Sequence, residues 1–273
     1  MNAASTSTDR IIATGRIFFA LGLMGIGLQH FYFRQFIPVV VPLWPSWIPG
    51  SLVFVFMFGA ILFVLGAMIL TGKMARFAAT LLGSLFLLLV VFSDVPGYSM
   101  GPGAAHIGAW TNGFKALAFS GSAFVVAGTF PDGVGEIGHR PSSLFGLLEK
   151  LIPFGMYPLA IMVIVFGVGH FLYVPFVSSL VPAWIPWHVF WTYFAGTALI
   201  ASGLGMIFRV KARLAATLLG AMIFTWVIVL HIPRAIADPY GLIGNEWTSV
   251  FEALAFSGIA FILGRTMPGS AKS

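Results

Sequence analysis

Two histidines stand at matching places in this sequence. His30 in "GLQHF" and His170 in "GVGHF" each close an apolar run, and each precedes a segment rich in proline and tryptophan, "VPLWPSWIP" at 41–49 and "VPAWIPW" at 181–187. An imidazole titrates near neutral pH, so it can relay protons, hydrogen-bond a carbonyl such as that of a quinone, or ligate a metal or haem. An imidazole at a helix end equally serves to cap carbonyls or to meet a headgroup region. Five further side chains complete a candidate polar site with His30 and His170: Arg34, Asp94, Lys115, His231 and Glu252. Arg34 or Lys115 is suited to an anionic substrate, while the histidines are suited to a quinone carbonyl or a proton path. There is no cysteine, so thiolate nucleophiles, Cys-ligated metals and Fe–S clusters are excluded. The absence of C-x-x-C-H excludes covalent haem and leaves non-covalent haem as the weaker alternative to a quinone. No catalytic residue and no metal-ligand set can be assigned from spacing. None of these side chains does redox chemistry alone, so such a role requires a bound cofactor or a partner subunit.

The surroundings of these residues are set by composition. Hydrophobic residues make up 59% of the 273 and charged residues only 8%, against about 25% charged in a soluble domain. Such a chain is solvated by lipid. Runs of roughly 20 apolar residues are needed to span a bilayer as helix. Eight are expected, at about 11–30, 51–71, 76–93, 113–130, 156–173, 188–208, 213–231 and 248–264. The expected fold class is therefore an all-α polytopic membrane helical bundle. The polar start "MNAASTSTDR" followed by an apolar run without an A-x-A site reads as an uncleaved first helix.

The second four runs repeat the first four. "RFAATLLG" (76–83) returns as "RLAATLLG" (213–220), and "KALAFSG" (115–121) as "EALAFSG" (252–258), both displaced by 137 residues. His30 and His170 are displaced by 140, so three extra residues sit in the first copy after Trp44. Four spans per copy give both copies the same orientation, a parallel repeat about an axis along the membrane normal. The units are expected at 1–135 and 136–273, divided within the polar stretch 131–143. The segment "LFGLLEKLI" after it reads as a short interfacial helix.

Charge placement orients the bundle. Eleven Lys and Arg fall on one side and three, Arg34, Lys115 and Arg234, on the other, so both termini are expected in the cytoplasm. The net charge of +6 is largely this bias and implies no nucleic-acid partner. All seven candidate site residues fall on the opposite side. Lys115 and Glu252 occupy equivalent positions and would pair if the copies face each other, the alternative being a snorkelling lysine and a solvated glutamate. Asp94 and His231 are likewise equivalent, each two residues before a proline. Arg234 and Asp238, four apart, are expected to form a surface pair. The proline–tryptophan segments read either as interfacial belts or as re-entrant lids over a cavity.

These residues together resemble the DoxX-like membrane protein family, whose four-span unit carries "GxxHF", "VPxWIP", "RxAA" and a "KALA" or "EALA" start to its fourth span. Nearly the whole chain is covered, as two tandem units. The resemblance implies a multi-pass protein of the prokaryotic inner membrane and, through the family's namesake, a membrane subunit in quinone-linked redox chemistry. It implies no set of catalytic residues. The other readings are a small-molecule or lipid transporter or binding protein, and a scaffold subunit that docks a partner or forms a homo-oligomer.

Overall fold

The computed structural model describes residues 3–38, 51–101, 104–131 and 144–268. Among them the chain is all-helical, with no strand. Continuous apolar runs dictate this, because in lipid only a helix satisfies every backbone N–H and C=O within its own segment. The helices are α1 (Ala3–Phe33), α2 (Ser51–Thr71), α3 (Ala75–Leu89), α4 (Val95–Ser99), α5 (Thr111–Ala127), α6 (Leu144–Glu149), α7 (Met156–Leu172), α8 (Val174–Leu180), α9 (His188–Ile207), α10 (Ala212–Trp226), α11 (Ile232–Ala237) and α12 (Gly241–Thr266). A widened, π-type turn at Val90–Asp94 joins α3 to α4, and another at Val227–His231 joins α10 to α11.

Six helical stretches among the described residues are long and apolar enough to cross a membrane: Thr8–Phe33, Ser51–Thr71, Ala75–Ser99, His188–Ile207, Ala212–Ala237 and Gly241–Thr266. Leu144–Phe154 and Met156–Leu172 pass together, bent by 47°. The fourth expected run falls short of that length, because α5 ends before Gly128 after 17 residues and is preceded by the 3-10 segment Ile107–Trp110. The segment 41–49 and the boundary at 135/136 lie outside the described residues.

Neighbouring helices run antiparallel, and the pairings recur. In the first half α1 packs on α2 and α3 on α5; in the second α7 packs on α9 and α10 on α12. The halves join where α12 lies along α1 and α5 along α7. Both junctions depend on glycine. A β-carbon on Gly15 would sit 2.5 Å from the Gly258 carbonyl oxygen, and one on Gly155 2.7 Å from the Gly121 carbonyl oxygen, distances no side chain tolerates. Small residues let the backbones approach to this distance, which is how helices associate where lipid removes the hydrophobic drive. Phe119 and Phe256, which are equivalent residues, meet each other with ring centroids 4.7 Å apart.

At the end opposite the histidines, arginines close the bundle. Arg76 at the start of α3 donates to the carbonyls of Ala127 (3.4 Å), the last residue of α5, and Phe130 (3.1 Å) beyond it, and to Glu149 Oε1 (2.5 Å). Its counterpart Arg213, at the start of α10, donates from Nε to the Met267 carbonyl at 2.5 Å. The last carbonyls of a helix lack intrahelical partners and carry partial negative charge, which gives the "RxAA" pattern a structural cause. Arg213→Gln is expected to destabilise the protein by about 1–2 kcal/mol. Exposed Arg209→Gln should change nothing, and thermal unfolding in detergent compares the two.

Candidate functional site

The widened turns follow from proline. Val95 N–H bonds to the Val90 carbonyl, five residues back, and Ile232 N–H to that of Val227. Pro96 and Pro233, next in line, have no N–H and would clash with the carbonyl four residues earlier in an unbroken α-helix. An extra residue in the turn relieves this, and π-turns of this kind gather at functional sites. Each ends on a candidate residue, Asp94 or His231. Asp94 is buried, lies with Tyr98 against Gly113, and its Oδ2 has no hydrogen-bond partner among the described residues.

Lys115 on α5 and Glu252 on α12 form an ion pair, Nζ to Oε2 2.8 Å, with the side chains 18% and 5% exposed. The pair joins the two halves. A lysine and a carboxylate this shielded are held by each other, and neither a snorkelling lysine nor a solvated glutamate describes them. Arg234 does not pair with Asp238. It holds Glu246 in a two-pronged bond, Nε to Oε2 2.9 Å and Nη2 to Oε1 2.7 Å, while Asp238 Oδ1 accepts the Gly241 N–H at 3.0 Å. An aspartate at the mouth of a tight turn caps its own backbone, and the planar guanidinium matches a carboxylate in parallel.

A cavity of about 550 Å³ opens among helices of the second half and the start of α5. Lys115, His170, Trp191, Thr192, His231 and Glu252 stand around it, and Met162, Val163, Leu199, Met222, Ile223 and Phe256 are among its apolar lining. His170, Trp191 and His231 sit near the helix ends, whereas Met162, Leu199 and Met222 sit eight or nine residues further along α7, α9 and α10. At 1.5 Å per residue this places an apolar zone about 12 Å below a polar ring. Phe176, Val177, Leu180 and Val181 of the second proline-containing segment border the same space, with α8 packed on α9. Trp184 and Trp187 point outward, 67% and 76% exposed. One segment thus supplies both a cover and an aromatic rim.

The first half is filled at the equivalent place. His30 is 0% exposed. Phe58 lies 5.4 Å from its ring, centroid to centroid, and Phe36 meets it edge-on at 6.2 Å. In the second half Ala195 replaces Phe58 and Gly169 replaces Gln29. Those two losses of bulk make the cavity. Gln29 is itself engaged, donating to the Gly244 carbonyl and accepting from the Thr248 hydroxyl, both at 3.0 Å. The structure therefore gathers Lys115, His170, His231 and Glu252 around one space. It leaves His30 sealed, Asp94 beside Tyr98 and Gly113, and Arg34 exposed at the left-handed end of α1, φ 53°. Trp191 and Thr192 were not singled out from sequence. Their signal is the aromatic and hydroxyl residues where the first copy has Phe54 and Val55.

Both site histidines share one bond. Nδ1 of His170 lies 2.7 Å from the Phe166 carbonyl, and Nδ1 of His30 lies 2.8 Å from that of Ile26. A carbonyl only accepts, so each Nδ1 carries the hydrogen, and a neutral ring is left with an acceptor lone pair on Nε2. In His30 that lone pair receives the Ile37 N–H at 3.5 Å.

Searches of protein-family models, curated proteins and solved structures each found no match to this chain.

Proposed function

We propose that this chain is an eight-span membrane protein made of two DoxX-like units, which holds a small lipid-soluble molecule of the quinone type in the cavity of its second unit. The cavity carries this reading: about 550 Å³, mostly apolar in its lining, with a few polar side chains in it. Such a space suits a molecule with a polar ring and a hydrocarbon tail. Eight spans are supported by the length of α5, whose 17 residues lie at the short end of what a bilayer accepts. The duplication is supported by equivalent residues that meet one another, Phe119 with Phe256 and Lys115 with Glu252, as a two-fold axis requires. The lysine and arginine bias supports both termini in the cytoplasm, with the cavity toward the opposite face, and the DoxX-like resemblance supports a prokaryotic inner membrane. As a membrane subunit in quinone-linked chemistry it would work with a partner that carries the electron acceptor. A binding protein or carrier without chemistry is the second reading, favoured by the predominantly apolar lining of the cavity.

Trp191 and Trp226 line the cavity, so a decyl-substituted benzoquinone should quench the purified protein's tryptophan fluorescence in a saturable way. Ala195→Phe, which restores the first copy's residue, should weaken that binding at least tenfold, about 1.4 kcal/mol or more. The absence of saturable quenching in the unaltered protein would sink the ligand-site reading. Quinone-independent uptake of a substrate into vesicles would move the assignment to a carrier.

A further inference from the structure

We propose that the cavity selects the reduced, hydroxyl-bearing form of its ligand over the dicarbonyl form, through Glu252 Oε1 and His170 Nε2. The inference rests on the ligand-site reading above and concerns which hydrogen bonds the protein leaves open.

Glu252 commits Oε2 to Lys115, but Oε1 is buried without a hydrogen-bond partner among the described residues. An ionised carboxylate oxygen accepts and never donates. His170 commits Nδ1–H to the Phe166 carbonyl, which leaves Nε2 as a second acceptor. The comparison with His30 is informative. There the Ile37 backbone N–H serves Nε2. The equivalent residue, Val177, gives its N–H to the Tyr173 carbonyl at 2.9 Å, because Val174–Leu180 is wound into α8. The second half has withdrawn the protein's own donor from its histidine and opened a cavity beside it.

Donors are open as well: the Trp191 indole N–H, the Lys115 ammonium hydrogens beyond the one given to Glu252, and a ring N–H of His231. An oxygen lone pair satisfies each, and both redox forms of a quinone carry lone pairs, so these donors do not discriminate between them. The two acceptors do. A quinol brings two O–H groups, whereas a quinone brings none and leaves both acceptors unpaired in an apolar surround. A buried polar atom left unpaired is penalised by its whole desolvation cost, and a ligand that displaces water without replacing its hydrogen bonds loses affinity.

The test is calorimetric titration of the detergent-purified protein, without oxygen, using three ligands of one shape: a decyl-substituted benzoquinol, its quinone and its dimethyl ether. The quinol should bind about tenfold or more tighter than either of the others, and His170→Phe should shrink that ratio. Equal binding of quinol and quinone, tighter binding of quinone, or a ratio untouched by His170→Phe would overturn the selection while leaving the ligand site in place. If none of the three binds saturably, the ligand-site reading fails and the selection falls with it.

Discussion

Lys115→Met is expected to destabilise the protein by about 3–5 kcal/mol, and Lys115→Met combined with Glu252→Met to recover most of that loss. Removing one partner leaves Glu252, 4% exposed, as a bare carboxylate between helices, with neither water nor counter-charge to solvate it. Removing both deletes the attraction and the desolvation penalty together, and methionine refills the volume. The pair sits between α5 of the first half and α12 of the second, so the single variant should also loosen the junction of the halves. A charge exchange, Lys115→Glu with Glu252→Lys, sharpens the test. If a two-fold axis relates these positions, either order of charges fits, and the exchanged protein should unfold close to the original midpoint. Denaturant unfolding in a mild detergent reads all four proteins. A single variant costing under about 1 kcal/mol, with no recovery in the double, would place the pair among solvated surface pairs.

The helices were readable from sequence because they follow from solvation, a local property that composition over about 20 residues reports. The arginine contacts at the closed end were half-readable. Repeated "RxAA" marked Arg76 and Arg213, but their acceptors lie more than 50 residues away and only packing brings them together. Lys115 and Glu252 could be matched because they hold corresponding places in the repeated sequence, and the structure brings them to 2.8 Å. Arg234 shows where spacing misleads. Asp238, four residues on, is nearer in sequence, but it turns to the Gly241 N–H and leaves the arginine to Glu246. The site itself was least legible. Seven polar residues on one face were counted as a set, but whether each meets a cavity is decided by apolar neighbours. His30 and His170 have the same local motif and the same Nδ1 bond. One is sealed by Phe58 and the other faces open space because Ala195 stands in its place. The difference resides in a Phe–Ala exchange within an apolar run and in the Gln–Gly exchange beside the histidine, neither of which marks a cavity by its spacing.

The same exchange yields the second large prediction. Phe58→Ala should cost about 3–5 kcal/mol, the range for emptying a buried phenylalanine site, because Phe58 is 8% exposed and fills the space beside His30 and Phe36. Ala195→Phe, the converse change at the equivalent position, should cost far less or raise stability, since its ring enters a cavity of about 550 Å³ already present. In a filled core, by contrast, added bulk costs about 1–3 kcal/mol. The two substitutions are chemical inverses at matching sites, so propensity and hydropathy cancel between them and only the packing differs. Opposite stability changes in the same detergent would tie the difference between the halves to this residue. Comparable losses from both would mean that the second half closes over its cavity in solution, and the ligand site would then need another location. If the first half does open in Phe58→Ala, His30 still has its Nε2 lone pair served by Ile37. The new space should then take up an apolar ligand without the preference for hydroxyl groups that His170 confers.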